Sequence, residues 1–225
     1  MSGDYSRLFK YVQRCWYSLF SSRRKKKSVQ LTKKTKTSAQ LSKESWHEPM
    51  TKTQCRAWSL IQADFQRALQ RKFPRLIDSR EAENKEFELH IFADASARAY
   101  AASAYICSRD TVSGKVAMYL LFAKSWIIKP DLLTIPSLEL LACLLAVRIY
   151  HFLKNALCMN FWAVFIWADS RVVLSWISNH KILPAFIRRR IDKIRAVEDV
   201  KFRYVPGEIN PADIPSRGML LNELD

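Results

Sequence analysis

Phe161-Trp162-Ala163-Val164-Phe165-Ile166-Trp167-Ala168-Asp169-Ser170 runs without a polar side chain until it meets an acid and a serine. A short apolar run with no alternation, rich in aromatic and β-branched residues, predicts a strand covered on both faces, as in a parallel sheet. Just upstream, Thr134-Ile135-Pro136-Ser137 opens an apolar helix to about Lys154, with proline in the first turn, where a missing N–H does no harm. Helix followed by buried strand is the second half of a crossover. Earlier still, Phe87 to Asp94 alternates as a strand does, Tyr100 to Ser108 reads as a second strand and Val116 to Trp126 as a third, with Ser113-Gly114 turning between the last two. Downstream come helical patterns at 170–178 and 184–197, a strand from Lys201 to Val205, and a last helix from Asn210-Pro211. The expected fold is α/β: a mixed five-stranded sheet, made of a three-strand antiparallel meander plus two parallel strands, flanked by helices.

Composition narrows the chemistry. The 225 residues are 49% apolar, enough for a core, and Lys+Arg outnumber Asp+Glu 37 to 21, which points to a polyanionic partner. Four glycines and no GxGxxG or GxxxxGK[ST] leave no phosphate cradle of those kinds. Five scattered cysteines and four histidines suggest neither a disulfide framework nor a zinc site, and a reducing compartment fits them. The apolar stretch Leu138 to Ile149 is interrupted by Glu139 and Arg148 and falls short of the ~20 residues of a membrane span. An intracellular protein, cytoplasmic or nuclear, is expected.

Three regions follow. Residues 1–45 read as a basic, partly helical or disordered arm, in which Tyr5, Leu8, Phe9, Val12, Trp16, Leu19 and Phe20 recur at helical spacing ahead of Arg23-Arg24-Lys25-Lys26-Lys27, a run that permits nuclear import. Residues 46–86 read as a helical connector with an apolar stripe at Trp58, Ile61, Phe65, Ala68 and Leu69. Residues 87–220 hold the sheet.

Four acids stand at strand ends and helix starts. Asp94 ends the first strand on the face of His90 and Phe92; Asp169 ends the buried strand; Glu139 lies in the first turn of the long helix and Asp213 in that of the last. Each alone has an ordinary reading as a cap, a dipole partner or a turn residue. Together, in an open α/β sheet whose parallel strands end side by side, they converge on one crevice. Convergent carboxylates repel one another and stay ionised only with compensating cations, and hard oxygen ligands suit Mg²⁺. Two such ions, or Mn²⁺ in their place, serve phosphodiester hydrolysis.

The motifs Leu89-His90-Ile91-Phe92-Ala93-Asp94-Ala95-Ser96, Ala123-Lys124-Ser125-Trp126, Ile135-Pro136-Ser137-Leu138-Glu139-Leu140, Trp167-Ala168-Asp169-Ser170 and Asn210-Pro211-Ala212-Asp213-Ile214-Pro215-Ser216-Arg217-Gly218 follow one another in order. The set resembles the ribonuclease H domain of Pao/BEL-class LTR-retrotransposon polyproteins, over about residues 46–218. The resemblance implies a ribonuclease H-like fold and an endonuclease cutting the RNA strand of RNA·DNA hybrids with two Mg²⁺ ions. By position, Asp94, Glu139, Asp169 and Asp213 match that family's catalytic, metal-holding acids. The chain holds no YxDD motif of a reverse transcriptase, so it reads as a polyprotein fragment of such an element or as a host open reading frame that captured one, with a reverse transcriptase on another polypeptide as an expected partner. Ser137 stands where relatives often carry Arg, and Tyr204 where His is common.

Hybrid binding calls for phosphate contacts. Arg188, Arg189, Arg190 and Lys193 lie on a helix whose other face is apolar, and Lys124 lies in the third strand; these are the expected nucleic-acid contacts, with Trp126 and Trp176 as weaker ones. Trp162 and Trp167 are expected in the core. The alternative function is a catalytically inactive nucleic-acid-binding remnant. An integrase-like nuclease needs a late Glu that this order of acids lacks, and Asp169-Ser170-Arg171 lacks the glycine of an aspartic protease.

Overall fold

Strands form here where β-branched and aromatic residues meet neighbours able to complete their hydrogen bonds. The computed structural model describes residues 49, 51–70, 84–128, 132–157, 159–179 and 182–218. The expected arm 1–45 with its basic run, and the connector motifs around residues 46–48 and 73–75, lie outside the described residues. The chain forms two compact units: Met1–Leu19 with Arg75–Met219, and Phe20–Pro74 with Leu220–Asp225.

In the second unit, α1 (Lys52–Gln70) starts at a capping box. Thr51 Oγ1 accepts from Gln54 N (3.3 Å), while Gln54 Oε1 accepts from Thr51 N (2.8 Å). Its stripe, Trp58, Ile61, Phe65 and Leu69, is exposed.

In the first unit, β1 (Lys85–Ala95), β2 (Ala99–Asp110) and β3 (Val116–Ile127) make the antiparallel meander. The β2–β3 turn holds Gly114 at φ 67°, where a side chain would be strained. Then α2 (Ile135–Leu157) crosses over to β4 (Ala163–Ala168), which runs parallel to β1 with Ala93 opposite Ala168. Next, α3 (Arg171–Ser178) and α4 (Ala185–Arg195) lead to β5 (Val200–Tyr204), parallel to β4. A 3-10 turn (Gly207–Ile209) and a short α5 (Asp213–Arg217) close the chain. The strand order is β3-β2-β1-β4-β5, the expected mixed sheet.

Leu89, Ile91 and Ala93 of β1 join Val164, Ile166 and Ala168 of β4 beneath α2, and Ile191 and Ile194 of α4 belong to the same cluster. Each large side chain fully buried there contributes about 1.5–3 kcal/mol. On the other face Phe92, Tyr105, Cys107, Met118, Phe165 and Trp167 form a second cluster. Thus β1 is buried on both faces from Glu88 to Asp94, although its sequence alternates. The α2 helix as a whole is long and apolar enough to cross a membrane by length and composition, but Leu138, Leu140, Val147, Ile149 and Leu153 are buried in this core. Trp162 corrects the expectation of a core residue: it precedes β4 and is 67% exposed. Its backbone N–H already pairs with Phe87 O, so the ladder begins here before the burial does.

Candidate active site

The parallel register that sets Ala93 beside Ala168 brings the next residues, Asp94 and Asp169, to adjacent strand ends. The two carboxyls stand close enough to act on each other, and each is raised above the usual carboxylate range, first by burial. Burial pushes Asp94 up to about 7. The Ser216 hydroxyl, which donates to Asp94 Oδ2, works against this, and the Asp169 and Asp213 charges add to it. Asp169 is raised as well, first by burial and further by the Glu139 and Asp213 charges. Glu139, in the first turn of α2, is raised by burial and by Asp94, while Ser170 Oγ donates to its Oε2 at 2.5 Å. One turn further along α2, burial and then the Glu139 and Asp169 charges hold the Cys143 thiol up at about 12, too protonated to act as a nucleophile.

Asp213 belongs to the same electrostatic group but differs from the other three. Its Oδ1 accepts from Arg217 Nε at 2.5 Å, in an ion pair whose arginine is exposed and whose carboxylate is half-buried. The last helix was expected from Asn210-Pro211 and instead begins at Asp213. Asn210 spends its side chain elsewhere: Oδ1 accepts from Ala212 N (3.1 Å) and Nδ2 donates to Ala93 O (3.0 Å), tying the final segment to the end of β1. Ser96 Oγ adds a bond to Ser216 O (2.6 Å).

Sequence reasoning missed four supporting residues. Ser170, not Asp169, caps α3, accepting from Val173 N at 3.3 Å while it orients Glu139. Ser216 and Asn210 stand inside a recognised motif, and only their fixed spacing from Asp213 could have marked them. Gly207 leaves room for an acid: a Cβ there would sit 3.1 Å from Asp169 Oδ2.

An all-oxygen group with three raised carboxyls and little neutralising charge suits hard divalent cations. A second cluster, Glu88, His90 and Cys107, has ligand atoms within 4.8 Å of one another but does not suit a metal. The indole N–H of Trp167, a donor only, gives its hydrogen bond to His90 Nδ1 at 3.1 Å. The imidazole proton therefore sits on Nε2, facing Glu88 Oε2 at 3.1 Å, and no ring lone pair is left for an ion.

On the α2 side of the sheet, Tyr100, Arg148, Arg189, Arg190, Asp192 and Lys193 line a groove of about 780 Å³. Arg188, Arg189 and Lys193 are exposed; Arg190 stacks on the Phe186 ring at 3.5 Å and donates to Phe186 O. Lys124 lies over the exposed Trp126 ring (5.1 Å), and Trp126 stands opposite Tyr100 in the β2–β3 register, which carries the basic surface toward β3. Trp176 is half-buried against the core, and its carbonyl, with those of Ile177 and Asn179, accepts from Arg195 at the end of α3.

A three-strand meander, a crossover helix and two parallel strands, with acids at the ends of β1 and β4, define the ribonuclease H-like class of α/β proteins. Within it, the chain belongs to the family described as "Pao retrotransposon-like RNaseH-like domain", whose family model matches residues 25–170. That span holds Asp94, Glu139 and Asp169, and Asp213 lies beyond it. No curated protein matches the chain in sequence. Similar solved structures include RNase H1 of the archaeon Halobacterium salinarum (15% identity, 56% of this chain and 90% of that one, TM-score 0.35). Two others are LC11-RNase H1 in complex with an RNA/DNA hybrid (17%, 62% and 100%, 0.40) and the N-terminal RNase H domain of Rv2228c from Mycobacterium tuberculosis (14%, 59% and 95%, 0.38).

Proposed function

We propose that this chain is a ribonuclease H, hydrolysing the RNA strand of RNA·DNA hybrids with two Mg²⁺ or Mn²⁺ ions held by Asp94, Glu139, Asp169 and Asp213. The observation that carries the reading is the grouping of three carboxyls, two at the ends of parallel strands and one in the first turn of α2, each raised by burial and by its neighbours. Such a group is costly without cations and is favoured by them. Ions held by these carboxyls would supply charge neutralisation at the scissile phosphate and would make a bound water more acidic. The protein's own part is to hold the raised carboxyls of Asp94 and Asp169 side by side and to orient Glu139 through Ser170. Arg188, Arg189, Lys193 and Lys124 supply phosphate contacts to the hybrid, and a reverse transcriptase on another polypeptide supplies the hybrid itself. In the reaction the phosphodiester P–O bond breaks as the water oxygen bonds to phosphorus, and the water protons pass to the leaving oxygen and to solvent.

The Asp213–Arg217 ion pair favours a second reading, a binding remnant in which the fourth acid is already satisfied. The test is cleavage of a labelled RNA·DNA hybrid with and without Mg²⁺, with duplex DNA, duplex RNA and Asp169→Asn as controls. Cutting of hybrid only, by the wild type only, is expected. A folded protein that binds hybrid and never cuts it assigns the chain to the second reading.

A further inference from the structure

Two helix stripes line the groove on the α2 side of the sheet. On α2 they are Leu141, Leu144 and Arg148, at i, i+3 and i+7; on α4 they are Arg189 and Lys193, at i and i+4, with Ala196 at its C-cap. The groove therefore has an apolar floor, where Leu144 is 7% exposed and Leu141 half-buried, and cationic rims, where Arg148, Arg189 and Lys193 are exposed. Asp192 also lines it, yet among the described residues none of these three cations takes part in an ion pair.

One end of the groove meets the acid group. Leu141 follows Glu139 closely on α2, and half-buried Tyr100, which joins the lining, stands opposite Ala95, the residue after Asp94. Arg148 lies ~14 Å beyond Glu139 along α2, at ~1.5 Å per residue. Trp126 is the β3 partner of Tyr100, so the two rings share a face; Trp126 is 48% exposed, with Lys124 Nζ 5.1 Å from its ring. A duplex turns phosphates and sugars outward and keeps its bases paired inside, which satisfies the cations and leaves the apolar floor without a partner. An unpaired strand brings both chemistries: phosphates for the cations, and flat base faces for the aromatic rings and the leucines. An acidic amphipathic helix would also meet cations and floor, but neighbouring aromatic rings beside an acid group suited to phosphodiesters favour the nucleic acid.

We infer that this groove binds an unpaired nucleic-acid strand continuous with the hybrid at the acid group, its phosphates on Arg148, Arg189 and Lys193 and its bases against Tyr100, Trp126 and the leucine floor. The inference rests on the proposed hybrid binding and adds to it a preference for hybrids that end in a single-stranded tail.

The test reads fluorescence anisotropy of labelled RNA·DNA hybrids with the full chain in EDTA, so that cleavage plays no part. The hybrids are blunt or carry a tail of about eight unpaired nucleotides on the RNA or on the DNA strand. Affinity is expected to rise at least about fivefold with one of the two tails, the worth of one stacked base. Arg148→Ala and Trp126→Ala are each expected to bring tailed and blunt hybrids within about twofold of each other. Arg203→Ala, on β5 at the opposite edge of the sheet, is expected to keep the wild-type ratio. Arg148→Ala alone decides the matter where Trp126→Ala is insoluble. Equal affinity for tailed and blunt hybrids, or a tail effect that survives Arg148→Ala, overturns the inference and leaves hybrid binding standing. A folded chain that binds none of the hybrids overturns both. Tighter binding of a labelled Glu- and Leu-rich amphipathic peptide than of a tailed hybrid gives the groove to a protein partner, and overturns the inference as well.

Discussion

Six residues apart on β1, Glu88 and Asp94 are both buried on the same face, yet their carboxyls are pushed in opposite directions. Glu88 is held below its usual range, chiefly by the hydrogen bond from His90, which outweighs burial; Arg109 and Lys201 add to the effect. Asp94 is driven up to about 7 because burial is joined by the charges of Asp169 and Asp213. Burial is common to both ends, so burial does not mark a reactive acid. The company it keeps does: a donor that satisfies the anion at one end, further anions at the other.

The sharpest way to break this comparison is to neutralise each acid in turn. Asp94→Asn or Asp169→Asn is expected to lower hybrid cleavage by about 10³-fold or more, the loss of several kcal/mol of charge stabilisation, with hybrid binding retained. Glu88→Gln is expected to leave the rate within about threefold. Cleavage persisting in both Asp variants would remove the acids from the chemistry.

Stability against pH separates the two ends next. A carboxyl raised in the fold keeps a proton that the unfolded chain has released between about pH 4 and 7. The metal-free protein therefore has this contribution in full below that window and loses it as pH rises through it, by about 2–4 kcal/mol. Denaturant unfolding at pH 5 and 8 in EDTA should show the drop, and Asp94→Asn should flatten it. Mg²⁺ should restore more stability at pH 8 than at pH 5. A metal-free protein equally stable at both pH values would contradict the clustering.

A smaller effect belongs to the other end. His90→Leu strands the Trp167 indole N–H and the Glu88 carboxylate, costing about 2–3 kcal/mol in urea unfolding, with the specific rate of the folded fraction unchanged. Smallest are the surface cations. Arg189→Ala and Lys193→Ala should each reduce the slope of log affinity against log salt by about 1. Arg195→Ala should leave that slope alone and lower Tm instead, because Arg195 is spent on three helix-end carbonyls.

The strand order was legible because each element carried its own signal: alternation in β1, an unbroken apolar run in β4, proline at the start of α2. The meeting of Asp94 with Asp169 was legible too, since a parallel register makes two strand ends neighbours. Less was visible where side chains act across long separations. Nothing local distinguishes Ser216 from any serine near a helix end, and its bond to Asp94 exists only in the fold. The exposure of Trp162 was hidden because hydrophobicity marks a run and not where its cover stops. The burial of Glu88 and His90 was hidden because alternation suggests a wet face, whereas the Trp167–His90–Glu88 chain satisfies both polar groups without water.

The bonds from Asn210 to Ala93, from Ser96 to Ser216 and from Ser216 to Asp94 join residues 117 to 122 positions apart. Once β4 and β5 have paired beside β1, only the short stretch from Val205 to Asn210 separates this segment from the sheet edge it joins. The bonds that fix the segment from Gly207 to Arg217 all need β1 in place, so it is expected to gain hydrogen-exchange protection after the sheet that receives it. A local opening that frees this segment would leave the strands paired and remove the clasp on Asp94, so the acid group depends on the most easily released part of the domain.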